Sequence, residues 1–283
     1  MFQNDTLKGQ TIFVTGGGSG LGRSMAEHFA SLGAAVAICG RRVEPLQETV
    51  SAIQEAGGRA AYASTDVRDP QAVADAIDAL EAELGEITGL VNNAAGNFLA
   101  PSEDLSPNAF DAVVQIVLYG TFHVTQNLGR RWIERGTQGH ILSIVTTYAW
   151  MGSAFVLPSA CAKAGVLAMT RSLAVEWGCY GIRLNAIAPG PFPTEGAFSR
   201  LMPPGYLEKA KQQVPLGRFG EPEELAHLAC FLFSPMAAYM TGEVVTIDGG
   251  EWLKNGQEFG GFTDMPREQM KAALEAMKPK KKG

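Results

Sequence analysis

Short apolar runs recur along the chain, each followed by a longer stretch of helical period. Thr11–Thr15 (TIFVT) is the first and reads as a buried strand, followed by glycines and an amphipathic helix to about Leu32. Ala34–Cys39 predicts a second strand, Val43–Ala56 a helix and Ala60–Ser64 a third strand. Helical period returns over Gln71–Leu84, a fourth strand is expected at Gly89–Asn93, and two helices lie between Asn108 and Arg135. The pattern then predicts a strand at His140–Val145, a long helix over Ser159–Trp177 and a strand at Arg183–Ile187. A loop rich in Pro, Gly and Phe runs from Pro189 to Pro204, before a helix over Glu221–Phe233 and a last strand at Val244–Ile247.

Apolar runs without polar alternation belong to strands buried on both faces, hence to a parallel sheet sandwiched by helices. Their alternation with helices implies right-handed βαβ units. The expected fold class is therefore α/β, a doubly wound parallel sheet of Rossmann type in a single domain over residues 1–252. Residues 253–283 read as a C-terminal extension. In it, Thr263 or Asp264 followed by Pro266 resembles a helix start, and Met270, Leu274 and Met277 share one face, so a packed helix is expected, frayed at Lys280–Lys282.

Composition narrows the partners. The chain has 283 residues, 46% of them hydrophobic, and a net charge of -6, which argues against general affinity for nucleic acid. An acidic chain binds an anion only through a local cluster of Arg or Lys. The cysteines, Cys39, Cys161, Cys179 and Cys230, lack Cys-x-x-Cys spacing, and the histidines are scattered, so no metal site is expected. Scattered cysteines in apolar stretches read as reduced residues of a cytoplasmic protein. No leader pattern opens the chain, no apolar run reaches the roughly 18 residues of a membrane span, and the ending is not Ser-Lys-Leu.

The most informative motif is TGGGSGLG over Thr15–Gly22, between the first strand and first helix. Gly16, Gly20 and Gly22 permit a tight turn and let a pyrophosphate approach backbone, while the helix N-terminus offers free N–H groups. The second strand ends in Cys39-Gly40-Arg41-Arg42. An acid there would accept a ribose 2′-OH and repel a 2′-phosphate; Arg41 and Arg42 instead favour NADP. Asp66-Val67, after the third strand, would edge the adenine, and the Asn92–Gly96 run (NNAAG) would line the nicotinamide side. Thr15, Leu21, Asn93 and Pro189, Gly190, Pro191 and Phe192 complete the expected cofactor-binding set.

TGxxxGxG, a DV pair, NNAAG and a later helix bearing Lys163 resemble the short-chain dehydrogenase/reductase family over roughly residues 7–252. In that family the acid is usually a Tyr four residues before the Lys, on the same helix face. The Lys lowers the phenol pKa and holds the nicotinamide ribose. Here the Tyr position holds Ser159, and none of the six tyrosines has Lys at that spacing. Tyr148, just past the fifth strand, is the expected substitute, because active residues of open parallel sheets lie at C-terminal strand ends. A displaced donor has chemical meaning. In a ketone the carbon receiving hydride carries the oxygen receiving the proton, whereas in a conjugated thioester charge accumulates on a distant carbonyl oxygen.

A narrower resemblance follows from NNAAGNF at Asn92–Phe98, LSPNA at Leu105–Ala109, TTYA at Thr146–Ala149, PSACAKAGV at Pro158–Val166 and PGPFPTEGAFSR at Pro189–Arg200. Together these resemble the NADPH-dependent 2,4-dienoyl-CoA reductases, in particular the mitochondrial type. The resemblance implies an acyl-CoA substrate reduced to a 3-enoyl-CoA, and a homotetramer. It implies that Tyr148 and Asn97 bind the thioester oxygen, that Lys163 holds the cofactor ribose, that Ser159 helps order the site and that Arg200 contacts the CoA phosphates. One departure stands out: the family has Asn before Gly-Thr in the helix after NNAAGNF, and this chain has Tyr119-Gly120-Thr121. Tyr119 either reaches toward the same site or packs on its helix. Alternatives are reduction of another enoyl-CoA or activated alkene, and a noncatalytic NADP-binding protein.

Overall fold

In the computed structural model, which describes residues 2–194, 207–257 and 260–277, successive side chains of each central strand point to opposite faces of one sheet, and both faces are buried. In β1 (Thr11–Thr15), Ile12 and Val14 join one apolar cluster and Phe13 the other. In β2 (Ala35–Gly40), Val36 and Ile38 face the first cluster, and Ala35, Ala37 and Cys39 the second. Double burial explains why these strands show no polar alternation.

β3 (Arg59–Ser64), β4 (Gly89–Asn92), β5 (Gly139–Ile144), β6 (Ile182–Pro189) and β7 (Val244–Ile247) complete the sheet in the order β3-β2-β1-β4-β5-β6-β7, every pair parallel. One face carries α1 (Gly20–Ser31), α2 (Val43–Glu55) and the Pro222–Phe233 helix, through Met25, Phe29, Leu46, Val50, Leu225 and Phe233. The other carries α3 (Pro70–Leu84), α5 (Gly120–Arg135) and α7 (Leu157–Glu176). Trp132 of α5 is fully buried there, its indole N–H donating to the Ile87 carbonyl at 2.6 Å. The chain is a single Rossmann-type domain. Its strand order reverses between β1 and β4, and at such a switch point the carboxyl ends of the strands open a crevice.

Three segments depart from the sequence pattern. The two helices expected after Asn108 are α4 (Pro107–Val114) and α5, joined without a break by a π turn at Gln115–Tyr119. Tyr119 closes that turn, nearly half exposed, its ring 6.3 Å from that of His123. α7 begins at Leu157, earlier than its period suggests, because Pro158 is tolerated in the first turn, where its missing N–H has no partner to lose. The tail helix forms at Arg267–Ala276 but buries none of its residues fully: Met270 is half-buried, and Leu274 and Met277 are exposed within the described chain. An unpredicted helix at Glu251–Gly256 runs through the expected boundary at 252, and Trp252 on it meets Trp150 edge to face at 5.7 Å. Among the described residues, no helix is long and apolar enough to cross a membrane, and no group of His, Cys, Asp and Glu could hold a metal ion.

Candidate active site

The crevice is built first by the turn after β1. Gly20 takes the left-handed region at φ 53°, starting α1 without the strain a side chain would bring there. A Cβ on Gly22 would lie 2.5 Å from Asn93 Nδ2 and closer still to the Gly16 carbonyl, so only glycine fits. α1 opens with no side-chain cap and no acid in its first turn. Its free amides and positive dipole end therefore face a space that no carboxylate of that turn competes for, which is what a pyrophosphate requires.

The facing wall is locked to this turn. Thr15 Oγ1 accepts from the Asn93 and Ala94 amides at 3.0 Å each and donates to the Val91 carbonyl at 3.2 Å. Asn93 Nδ2 donates to the Thr15 and Gly16 carbonyls at 3.0 and 3.2 Å. Thr15 Oγ1 and Asn93 Nδ2 are thus engaged in holding β1 against β4 and shape the cradle. Leu21 packs beside the core of the same face.

Arg41 and Arg42 lie exposed at the end of β2, and among the described residues no carboxylate forms an ion pair with either. Asp66 is gripped by Arg68, whose guanidinium donates at 3.0 Å from Nε and 2.5 Å from Nη2. That bonding, with the positive field of Arg68 and Arg41, holds the Asp66 carboxyl below its usual range. Val67 is buried under the start of α5, its carbonyl 3.0 Å from His123 Nδ1. Pro189 ends β6; the Gly190 amide donates to the Ile247 carbonyl at 3.0 Å, and the Gly220 amide to that of Pro191 at 3.1 Å. Phe192 is buried against Gly220. This loop returns to the glycine turn through Thr194, whose Cβ lies 3.3 Å from where a Gly20 Cβ would stand. Thr194 is absent from the sequence expectation; its signal is its place just after the PGPFP run.

Beside the crevice, β5 runs into a short helix, α6 (Tyr148–Met151), with Tyr148 at its first position. The Tyr148 hydroxyl accepts from Asn97 Nδ2 at 3.4 Å and lies 3.0 Å from Ser159 Oγ. Asn97 Oδ1 is taken by the Phe98 amide at 2.9 Å, which turns the Asn97 NH₂ toward Tyr148. Ser159 is 2% exposed and stands one helical turn before Lys163 on α7. The Lys163 ammonium donates to the Ile144 carbonyl at the end of β5. Tyr148, Asn97, Ser159 and Lys163, from three separate stretches of sequence motif, thus converge at the carboxyl end of the sheet. Arg200 lies outside the described residues.

Burial pushes the Lys163 ammonium from 10.5 down to about 8. Below pH 8 both folded and unfolded chains hold this proton, and the folded state carries the full penalty of a buried charge. Between about 8 and 10.5 the unfolded chain binds more protons, so stability rises with pH. Chemical denaturation of the cofactor-free protein across this window should show a gain relative to Lys163→Met. Parallel curves for the two proteins would contradict it.

A parallel doubly wound sheet with a glycine turn at its switch point and a Tyr, Ser and Lys at its carboxyl edge defines a dinucleotide-dependent oxidoreductase. Residues 16–251 match the family model described as enoyl-(acyl carrier protein) reductase. The chain is 47% identical to a Bacillus subtilis protein named "probable 2,4-dienoyl-CoA reductase [(2E)-enoyl-CoA-producing]", over 87% of this chain and 98% of that one. It is 44% identical to a Caenorhabditis elegans protein named "probable 2,4-dienoyl-CoA reductase 3 [(3E)-enoyl-CoA-producing]", over 93% of this chain and 87% of that one. A crystal structure of a short chain dehydrogenase from Bacillus anthracis superposes with a TM-score of 0.80 at 46% identity, covering 87% of this chain and 98% of the other. The chain belongs to the short-chain dehydrogenase/reductase family. It is an enzyme and works with a nicotinamide cofactor.

Proposed function

We propose that this enzyme reduces 2,4-dienoyl-CoA thioesters with NADPH in the degradation of unsaturated fatty acids, giving a 3-enoyl-CoA. The observation that carries this reading is the Asn97–Tyr148–Ser159 chain of hydrogen-bonding groups, whose phenol comes from the end of β5 and not from the position before Lys163. Such an arrangement suits an oxyanion distant from the carbon that is reduced.

The residues fit the cofactor. The Gly22 cradle and the uncapped N-terminus of α1 would hold the pyrophosphate, and Arg41 and Arg42 the 2′-phosphate that distinguishes NADPH. Asp66 and Val67 would edge the adenine, Lys163 would hold the nicotinamide ribose, and Pro189, Gly190, Pro191 and Phe192 would close that side. When bound, NADPH supplies a hydride to the δ carbon of the diene.

Tyr148 O–H and Asn97 Nδ2 then donate to the thioester oxygen, where negative charge collects as a dienolate. Donors fixed before the charge forms need no reorganisation, which is the main source of rate enhancement at such sites. Ser159 accepts from or donates to the phenol and keeps it aimed. A proton delivered by water at the α carbon completes the 3-enoyl product; delivery at the γ carbon would give the 2-enoyl product instead. Arg200 is proposed to meet the CoA phosphates, since a chain of charge -6 must supply positive charge locally. A homotetramer, as the family resemblance implies, and a cytoplasmic setting, supported by four unpaired cysteines, complete the reading.

The test is steady-state oxidation of NADPH and of NADH with a panel of dienoyl-, enoyl- and saturated acyl-CoAs, with product analysis. Turnover should be confined to conjugated dienoyl-CoAs, be faster with NADPH, and yield the 3-enoyl thioester. Preference for simple enoyl-CoAs would move the assignment to an enoyl reductase. Equal kinetics with both cofactors would remove the role given to Arg41 and Arg42.

A further inference from the structure

Among the described residues, Phe155 is the one non-glycine residue with positive φ, at 65°. The left-handed region brings an L side chain's Cβ against the following carbonyl, and bulky residues rarely occupy it. Burial of the ring does not account for its presence, since Phe155 is 59% exposed. What the conformation does achieve is a backbone contact: the Phe155 carbonyl accepts from the Ala100 amide at 3.0 Å.

The two segments joined by this bond are the ones that carry the donors. Residues 93–101 lack helix or strand and bear Asn97, while Gly152–Val156 is the irregular link between α6, which starts at Tyr148, and α7, which bears Ser159. No strand ladder sets the spacing between them. The Asn97–Tyr148 bond, at 3.4 Å, is too long to do so by itself.

We propose that Phe155 is a positioning residue, whose left-handed backbone forms a strap to Ala100 that sets the separation of Asn97 and Tyr148. Strained backbone persists only where surrounding structure over-determines it, and it gathers at sites whose geometry matters. The inference rests on the reading of Asn97 and Tyr148 as the donors to the thioester oxygen.

The test is a series at one position: Phe155→Gly, Phe155→Asn, Phe155→Ala and Phe155→Val. Glycine and asparagine accept the left-handed region, alanine less readily, and β-branched valine least. Each variant is assayed for kcat with a dienoyl-CoA at saturation, KM for NADPH and melting temperature. The strap predicts kcat within about twofold of the parent for Gly and Asn, lower for Ala, and lower by about tenfold for Val, less than the roughly 10²-fold that an ångström of misplacement can cost. KM for NADPH should stay level throughout. If the valine variant does not fold, the order of Gly, Asn and Ala carries the same information. The reverse order, with Val near the parent and Gly and Asn lowest, would assign the effect to the apolar ring and overturn the strap, as would equal kcat in all four. Tyr148→Phe is measured alongside. Retained turnover in that variant would remove the donor reading and the strap with it, whereas lost turnover beside a flat Phe155 series would remove the strap alone.

Discussion

Tyr148→Phe should leave the fold and NADPH affinity intact and lower turnover of a dienoyl-CoA by about 10²–10³-fold, the usual effect of losing one oxyanion donor. The substitution removes a single oxygen. That oxygen links Asn97 Nδ2 to Ser159 Oγ, so its loss leaves the amide and the serine without a shared partner but moves no backbone. Ser159→Tyr in the same background should not restore the rate, because a phenol one turn before Lys163 would donate beside the carbon receiving hydride and away from the thioester oxygen. Single-turnover NADPH oxidation, with a separate titration of NADPH, separates chemistry from binding. A loss below about threefold, far short of the donor effect, would move the role to Ser159 or Tyr119.

Gly22→Ala should raise the NADPH dissociation constant by on the order of tenfold or more and lower the melting temperature. The added methyl would stand 2.5 Å from Asn93 Nδ2 and closer to the Gly16 carbonyl. Both neighbours are fixed: the carbonyl is backbone, and the amide is held by Thr15 and Gly16. Relief of the clash must open the β1 turn, and overpacking of this kind costs about 1–3 kcal/mol. Gly178→Ala is the control, since a Cβ there meets nothing within 4 Å. Equal affinity in Gly22→Ala and the parent would mean that the pyrophosphate does not approach this turn.

The sheet was legible because its central strands bury both faces and show it as apolar runs, as Ile12-Phe13-Val14 does. The glycine turn was legible because few other roles explain three spaced glycines between a strand and a helix. Tyr148 was legible from its place just past the fifth strand, together with the absence of a Tyr before Lys163; its helix, α6, is too short for any period to appear. The partners that fix Lys163 and Thr15 are main-chain carbonyls, Ile144 and Val91, which side-chain pattern does not encode. Asp66 read as an adenine contact, and the sequence alone did not reveal that Arg68 grips it. Phe155 was invisible for a different reason: glycine advertises a left-handed turn, and phenylalanine does not. The tail helix reads as packed because its apolar positions share a face, yet the described chain covers Met270 only in part and leaves Leu274 and Met277 exposed.

The bonds between Thr15 and Asn93 also bear on how the enzyme folds. They join residues 78 apart in the chain, across strands whose pairing sets Ile12 beside Gly89. Closing so long a loop is entropically slow, and contacts of this range reward the chain only late in folding. The cradle therefore does not exist in any early, locally structured species, and a dinucleotide finds no partial site to seize. A ligand that recognises only the finished crevice leaves the refolding rate unchanged and retards unfolding. For this enzyme, the expected result is an unfolding rate that falls as NADPH is added, beside a refolding rate that does not change.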